Sequence, residues 1–168
     1  MRPVTETKDS SSDLSMPAGP PQLAPFGLVL HHDGCFTHEG EPILNRKLRE
    51  HFDRSVEYLP DERKYIVRLG HFRGQVEIEE AAFFVRSVFL ETGEIALSDR
   101  TREPLDVASL TESPIDGAFL CRVKCDLVPG GVIARFMHGP QAELLHSVVD
   151  EDGSFFVRIA DELRPFVV

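Results

Sequence analysis

The chain has 168 residues, of which 42% are hydrophobic and 27% charged, and a formal net charge of −10 at pH 7. That length can bury a substantial core as one domain or two small ones, while the acidic balance excludes bulk binding to nucleic acid or to an anionic membrane, since phosphate contacts need a basic face. No apolar run approaches the roughly 18 residues of a membrane span, "MRPVTETKDSSSDLS" lacks the apolar centre of a signal peptide, and three cysteines without a CxxC pair fit a reducing cytoplasm.

Residues 1–25 hold Ser10, Ser11, Ser12 and Ser15, then Pro17, Pro20, Pro21 and Pro25, with almost no bulky apolar side chain. Such a segment cannot offset its ordering entropy and is predicted to be a disordered N-terminal tail. Order is predicted from "FGLVLHHDGCFTH", two short strands joined at Asp33-Gly34, a dipeptide suited to the positive φ angles of a hairpin turn. Pro42 is then expected to open a helix, "ILNRKLREHFDRSVEYL", in which Leu44, Leu48, Phe52 and Val56 recur every four residues and face a core. Pro60 ends it. The strands "KYIVRL" and "QVEI" follow, then a hairpin, "FFVRSVFL" and "EIAL", turned at Thr92-Gly93.

Beyond a polar linker comes the longest alternating run, "AFLCRVKCDLV". It places Phe119, Cys121, Val123, Cys125 and Leu127 on one face of a half-buried strand. Pro129-Gly130-Gly131 turns it into "VIARFM". Pro140 is expected to open a short helix with Leu144, Leu145, Val148 and Val149 as its apolar stripe. Asp152-Gly153 then leads into the strand "SFFVRI" and a final extended piece, "LRPFVV".

The stretch "GCFTHEGEPI" is echoed by "RFMHGPQAEL" about a hundred residues later, each after a strand and before a helix. A strand–turn–helix–strand unit used twice on antiparallel sheets accounts for both. It divides the chain into a tail (1–25), an N-terminal α+β unit (26–80) and a C-terminal α+β unit (81–168). In this account His38 and His138 donate to carbonyls at the two turns, and each helix starts at its proline, whose missing N–H has no intrahelical partner there.

Chemistry is weighed against that plain reading. His31, His32, Cys35 and His38 form the most metal-like cluster, but they straddle a hairpin turn and lack zinc-ligand spacing, so no metal is expected. Alternation predicts Glu77 and Glu79 on the solvent side of a strand, and no GxSxG, HExxH, Walker or GxGxxG motif occurs; no catalytic residue or cofactor is assigned. "GHFRG" brings His71 and Arg73 into one glycine-bracketed loop, able to hold a phosphate or to be a plain hairpin. On the first helix Arg46 with Glu50, and Arg49 with Asp53, are spaced for surface ion pairs.

With these features in order, the sequence resembles the bacterial domain-of-unknown-function family 1285 (DUF1285). The resemblance rests on Gly34, His38, Gly40, Pro42 and Ile43 against G-x-W-x-H-x-G-x-P-I, and on Glu79, Ala81 and Phe83 against I-x-V-E-D-A-P-F. "GEIALSDRTREPLDV" and "RFMHGPQAELLHSVVDEDGSFFVRI" are similar to its later segments. Phe36 stands for the family tryptophan, Glu80 for aspartate, Ala82 for proline and Asn45 for an arginine, with Arg46 next door. The resemblance implies a duplicated architecture whose C-terminal half is pleckstrin-homology-like, a nucleotide-like ligand at the junction of the halves, and a signalling role.

The sequence thus reads as a cytoplasmic, non-enzymatic α+β protein that binds a small, nucleotide-like ligand or a partner protein in signalling. His38, Arg46, His71 and Arg73 are its candidate ligand-binding residues. The alternatives are an enzyme with a site at the junction of the two units and a purely structural interaction module.

Overall fold

The computed structural model describes Leu23 and residues 25–167. Apart from Leu23 and Pro25, the expected tail lies outside the described residues. The first strands are β1 (Pro25–Leu30), β2 (Phe36–His38) and β3 (Glu41–Pro42), followed by helix α1 (Arg46–Ser55) and by β4 (Val56–Leu59), β5 (Lys64–Leu69) and β6 (Phe72–Ile78). These six strands form one sheet in the order β3-β2-β1-β6-β5-β4, antiparallel except that β1 and β6 run parallel.

The next six are β7 (Phe83–Phe89), β8 (Glu94–Leu97), β9 (Arg102–Pro104), β10 (Thr111–Glu112), β11 (Phe119–Val123) and β12 (Val132–Phe136), with a 3₁₀ turn at Val107–Ser109. Their order is β10-β11-β12-β7-β8-β9, again with a parallel central pair, β7 and β12. In both sheets the chain starts at the centre and runs outward through three strands. It then crosses to the far edge and returns inward to pair with its own first strand. The expected sheets were antiparallel; both large ones are mixed. Helix α2 (His138–His146) and an antiparallel meander of β13 (Val148–Glu151), β14 (Ser154–Ile159) and β15 (Glu162–Pro165) complete the protein. The architecture is α+β, mostly strand with two α-helices among the described residues.

The central strands are buried, and one apolar cluster runs from Leu28 and Phe36 through Phe83, Phe84 and Val85 to Val157 and Ile159. Phe36 packs on Phe52 of α1 with ring centroids 5.5 Å apart. Gly93, at the expected β7–β8 turn, has φ +75°, and a Cβ there would meet Ile159 at 2.8 Å, so the turn also seats the C-terminal meander.

The first helix is shorter than its periodicity suggests. Pro42 pairs with Thr37 in β3, and Ile43 N–H donates to Phe36 O at 2.9 Å, so both residues belong to the sheet. Asn45 is the true cap, its side chain accepting from Leu48 N–H at 3.1 Å. Leu44 is 80% exposed, Phe52 carries the packing at 3%, and Val56 is already strand. The second helix, by contrast, starts two residues before Pro140, at His138, with Met137 as an N-cap that makes no side-chain bond. His38 is a strand residue with its ring tilted 5.0 Å from that of Phe26, and His138 opens α2; among the described residues neither ring bonds to the turn carbonyl expected of it.

The alternating run breaks at Lys124, whose φ of +59° ends the strand after Val123. The cause is an ammonium held by Asp99 at 2.7 Å, Glu103 at 2.8 Å and Thr101 at 2.6 Å, which uses all three of its donors. Cys125 and Leu127 are therefore exposed, whereas Cys121 is buried. Burial pushes the Cys121 thiol up to about 12. Thiol reagents at neutral pH should label Cys125 in the native protein and Cys121 only after denaturation. Equal native rates for the two would contradict the strand end at Val123.

Candidate functional site

The only covalent passage between the two large sheets is the four-residue stretch Glu79-Glu80-Ala81-Ala82, which joins β6 to β7. Ala81 and Ala82 are buried, and their small side chains let the sheets approach. The two glutamates turn opposite ways. Glu79 Oε2 accepts from the backbone N–H of His32 at 2.7 Å and lies 2.9 Å from His32 Nδ1 and 3.4 Å from His31 Nδ1, in the β1–β2 turn. Glu80 pairs with Arg135 of β12 and accepts from Ser113 Oγ. Arg135 also pairs with Asp116, and its side chain is 6% exposed against 10% for Glu80. Glu79 was expected on a solvent face, and it is exposed, its side chain 40% accessible while it reaches the β1–β2 turn from just beyond the end of β6.

Two clefts open along this junction and meet at Asp33 and Met137. One, of about 280 Å³, is walled by Arg46, Arg49, Glu50 and Asp53 of α1, by the turn Asp33-Gly34-Cys35, and by Arg86 of β7. The other, of about 200 Å³, is lined by His32, Asp116, Arg135, His138 and Gln141 among others. Neither alone reaches the roughly 300–1,000 Å³ of ordinary ligand pockets; the two together do.

Charge in the larger cleft is unevenly paired. Arg46 Nε donates to Glu50 at 2.7 Å, which holds the Glu50 carboxyl below its usual range. Asp53 does not pair with Arg49, as the helical spacing suggested, but crosses the cleft to Arg86. Burial pushes the Asp53 pKa up against the opposing pull of Arg86. Asp33 closes its turn by accepting from Cys35 N–H at 2.8 Å, which lowers its pKa. Arg49 is left over. Its Nε is buried and has no hydrogen-bond partner among the described residues, nor does the side chain form an ion pair there. Cys35 sits beside it, its thiol raised by burial and by Asp33 against the opposing pull of the Arg49 guanidinium, with which it shares a side-chain hydrogen bond.

Of the four sequence candidates, only Arg46 lines this cleft. His38, Phe26 and Phe72 form a tilted aromatic row across β2, β1 and β6, with His71 in the adjoining β5–β6 turn. Arg73 has a 3.7 Å contact with Glu62 and a buried, unpartnered Nε of its own. The expected loop site is a hairpin turn, apart from the junction. The residues that do converge there, Arg49, Arg86, His32, Glu79, Glu80 and Arg135, are not singled out by any motif. Arg135 could have been found as a lone charge inside the apolar run "VIARFM". Among the described residues, no group of three or more His, Cys, Asp or Glu side chains is placed to hold a metal ion, and no helix is long and apolar enough to cross a membrane.

No family model matches the sequence, and no curated protein does. Among solved structures, the chain is similar to a DUF1285 family protein from Silicibacter pomeroyi DSS-3, at 15% identity and a TM-score of 0.57 over 84% of this chain and 80% of that one. A DUF1285 family protein from Shewanella baltica OS155 matches at 12% identity and a TM-score of 0.48, over 73% of this chain and 91% of that one. The fold is DUF1285-like.

The side-chain hydrogen bond with Glu79 raises the His32 pKa above the ordinary imidazole value, outweighing its partial burial, while the His32 backbone and ring lower that of Glu79. The folded state therefore favours protonated His32. The pair's contribution to stability is complete below an unperturbed imidazole pKa of about 6.5 and fades as pH rises through the raised value. Melting curves between about pH 5.5 and 8.5 should show this loss in the natural protein and a flatter profile in Glu79→Gln. Superimposable profiles would remove the His32–Glu79 pair from the account.

Proposed function

We propose that this chain is a cytoplasmic binding protein that takes a small anionic ligand of nucleotide-like kind in the junction clefts, with Arg49 as its principal contact, and acts in signalling. The observation that carries the reading is Arg49: a cation with a buried, unsatisfied donor, in a cleft whose other two arginines already have carboxylates. A buried N–H without a partner costs about 1–3 kcal/mol, a cost that an incoming phosphate or carboxylate oxygen removes. Arg46 and Arg86 use one nitrogen each on their carboxylates and retain donors for the same anion. The smaller cleft, with His32, Gln141 and Asp116, offers both donors and acceptors to a polar body attached to that anion. The reading also keeps two related units, because each helix leads into a three-stranded antiparallel meander, and a pleckstrin-homology-like C-terminal half.

One observation favours an enzyme. His32 is oriented by a carboxylate, as a general base is. Against it, neither cleft is lined by a serine or threonine, and the one cysteine there has a raised pKa.

Adenosine monophosphate and inorganic phosphate should both raise the melting temperature and slow the labelling of Cys35, and adenosine alone should do neither. A ligand at a hundred times its Kd stabilises by about 2.7 kcal/mol. Arg49→Gln should abolish both effects without lowering the melting temperature of the free protein. Phosphate effects that persist in Arg49→Gln, or their absence in the natural protein, would overturn this assignment.

A further inference from the structure

The C-terminal meander carries a surface that the junction site does not use. Alternation along β14 puts Phe155 on the same side as Val157 and Ile159, which are buried in the core, yet Phe155 is 54% exposed. The core-facing side of the strand therefore runs out into solvent. There it meets a groove of about 680 Å³ lined by Leu145, Val148, Phe155, Phe156, Phe166 and Val167, with no charged residue in its lining. Phe166 anchors the floor, its ring 5.7 Å from that of buried Phe119. At Pro165 and Val167 the groove continues into a second, of about 400 Å³, that reaches Val107 and Ala108 beside the 3₁₀ turn.

The charge around this apolar trough has one dominant sign. Asp150, Glu151 and Asp152 are exposed and immediately precede Gly153 and Ser154, which line the groove. Asp106 stands at the far end of the extension. Arg164 is the one cation in either lining, and it lies 3.4 Å from Glu162. A long apolar trough with acidic ends complements a segment with an apolar face flanked by Lys or Arg. It repels an anionic bilayer, and it repels a second copy of itself, whose rim is equally acidic.

We propose that the groove between the end of α2 and the β13–β15 meander is a docking site for a basic amphipathic helix of a partner protein. The helix lays apolar anchors against Phe155, Phe166 and Leu145 in the helix-in-groove manner, and its cations face Asp150, Glu151 and Asp152. Phe155 is the central contact, being the large aromatic of this groove that the fold leaves most exposed. The acidic rim sets the sign of the partner and makes association salt-dependent.

The full chain can be titrated against a fluorescent amphipathic Leu/Lys peptide, with a Leu/Glu peptide of the same pattern as control. The Leu/Lys peptide should bind and the Leu/Glu peptide should not. Phe155→Ser should weaken binding at least tenfold with the melting temperature unchanged. Neutralising the rim (Asp150→Asn, Glu151→Gln and Asp152→Asn together) should weaken it and flatten its salt dependence. Equal binding of the two peptides, or no effect of Phe155→Ser, would overturn the proposal. So would a dimer that Phe155→Ser dissolves in the absence of peptide binding, or tighter binding to phosphatidylglycerol vesicles than to the peptide.

Discussion

Two consecutive glutamates hold this fold together at its narrowest point. Glu79 and Glu80 occupy the short link between the sheets and bind in opposite directions, one to the β1–β2 turn of the first sheet and the other to Arg135 in the central strand of the second. The chain bends at both residues, so a single dipeptide sends its two side chains apart and ties both sheets at once. A short link costs little loop entropy. It also largely buries the Glu80–Arg135 pair, where each partner must be present for the arrangement to be tolerated. Arg135 meets that demand with two carboxylates, and Glu80 adds Ser113 as a donor.

The junction clefts follow from this arrangement. Because the link fixes the turn at Asp33-Gly34-Cys35 against β7, where Phe84 passes 3.7 Å from a Cβ built on Gly34, α1 lies across a gap that side chains from both sheets line. Asp53 reaches over that gap to Arg86 rather than along its own helix to Arg49, and this choice of partner leaves Arg49 without an ion pair among the described residues. An ion pair across the cleft costs the side-chain entropy of two residues but secures the helix to the second sheet. The buried, unpartnered Arg49 Nε is a by-product of that tertiary pairing.

Much of the fold is readable in the sequence where local physics decides. The hairpin turns at Asp33-Gly34 and Thr92-Gly93 follow from glycines whose φ is positive, and the strands around them follow from alternation. The reading fails where a distant group takes over. Leu44 and Leu48 have perfect helical spacing with Phe52, but Pro42 and Ile43 are claimed by β2, so the helix starts late and its first leucines face water. Cys125 continues an alternating pattern on paper, yet the carboxylates at Asp99 and Glu103 pull Lys124 out of the strand. The strand plan shared by the two sheets is invisible to motif comparison, because α1 in one is matched by only a 3₁₀ turn in the other. The candidate site is less legible still. Arg46 is shared between the two readings, but Arg49 stands out only by the unpartnered Nε it has among the described residues, and no spacing rule encodes an absence.

The claim that the buried Glu80–Arg135 pair ties the sheets is tested most directly by a double-mutant cycle in urea. Arg135→Met should cost about 3–5 kcal/mol, because Glu80 is left buried without its cation. Arg135→Met combined with Glu80→Leu should recover most of that loss, since an apolar pair of similar volume carries no desolvation penalty. Recovery in the double variant, with one cooperative transition throughout, is the predicted result. A single Arg135→Met variant as stable as the natural protein, or losses that simply add, would contradict the account.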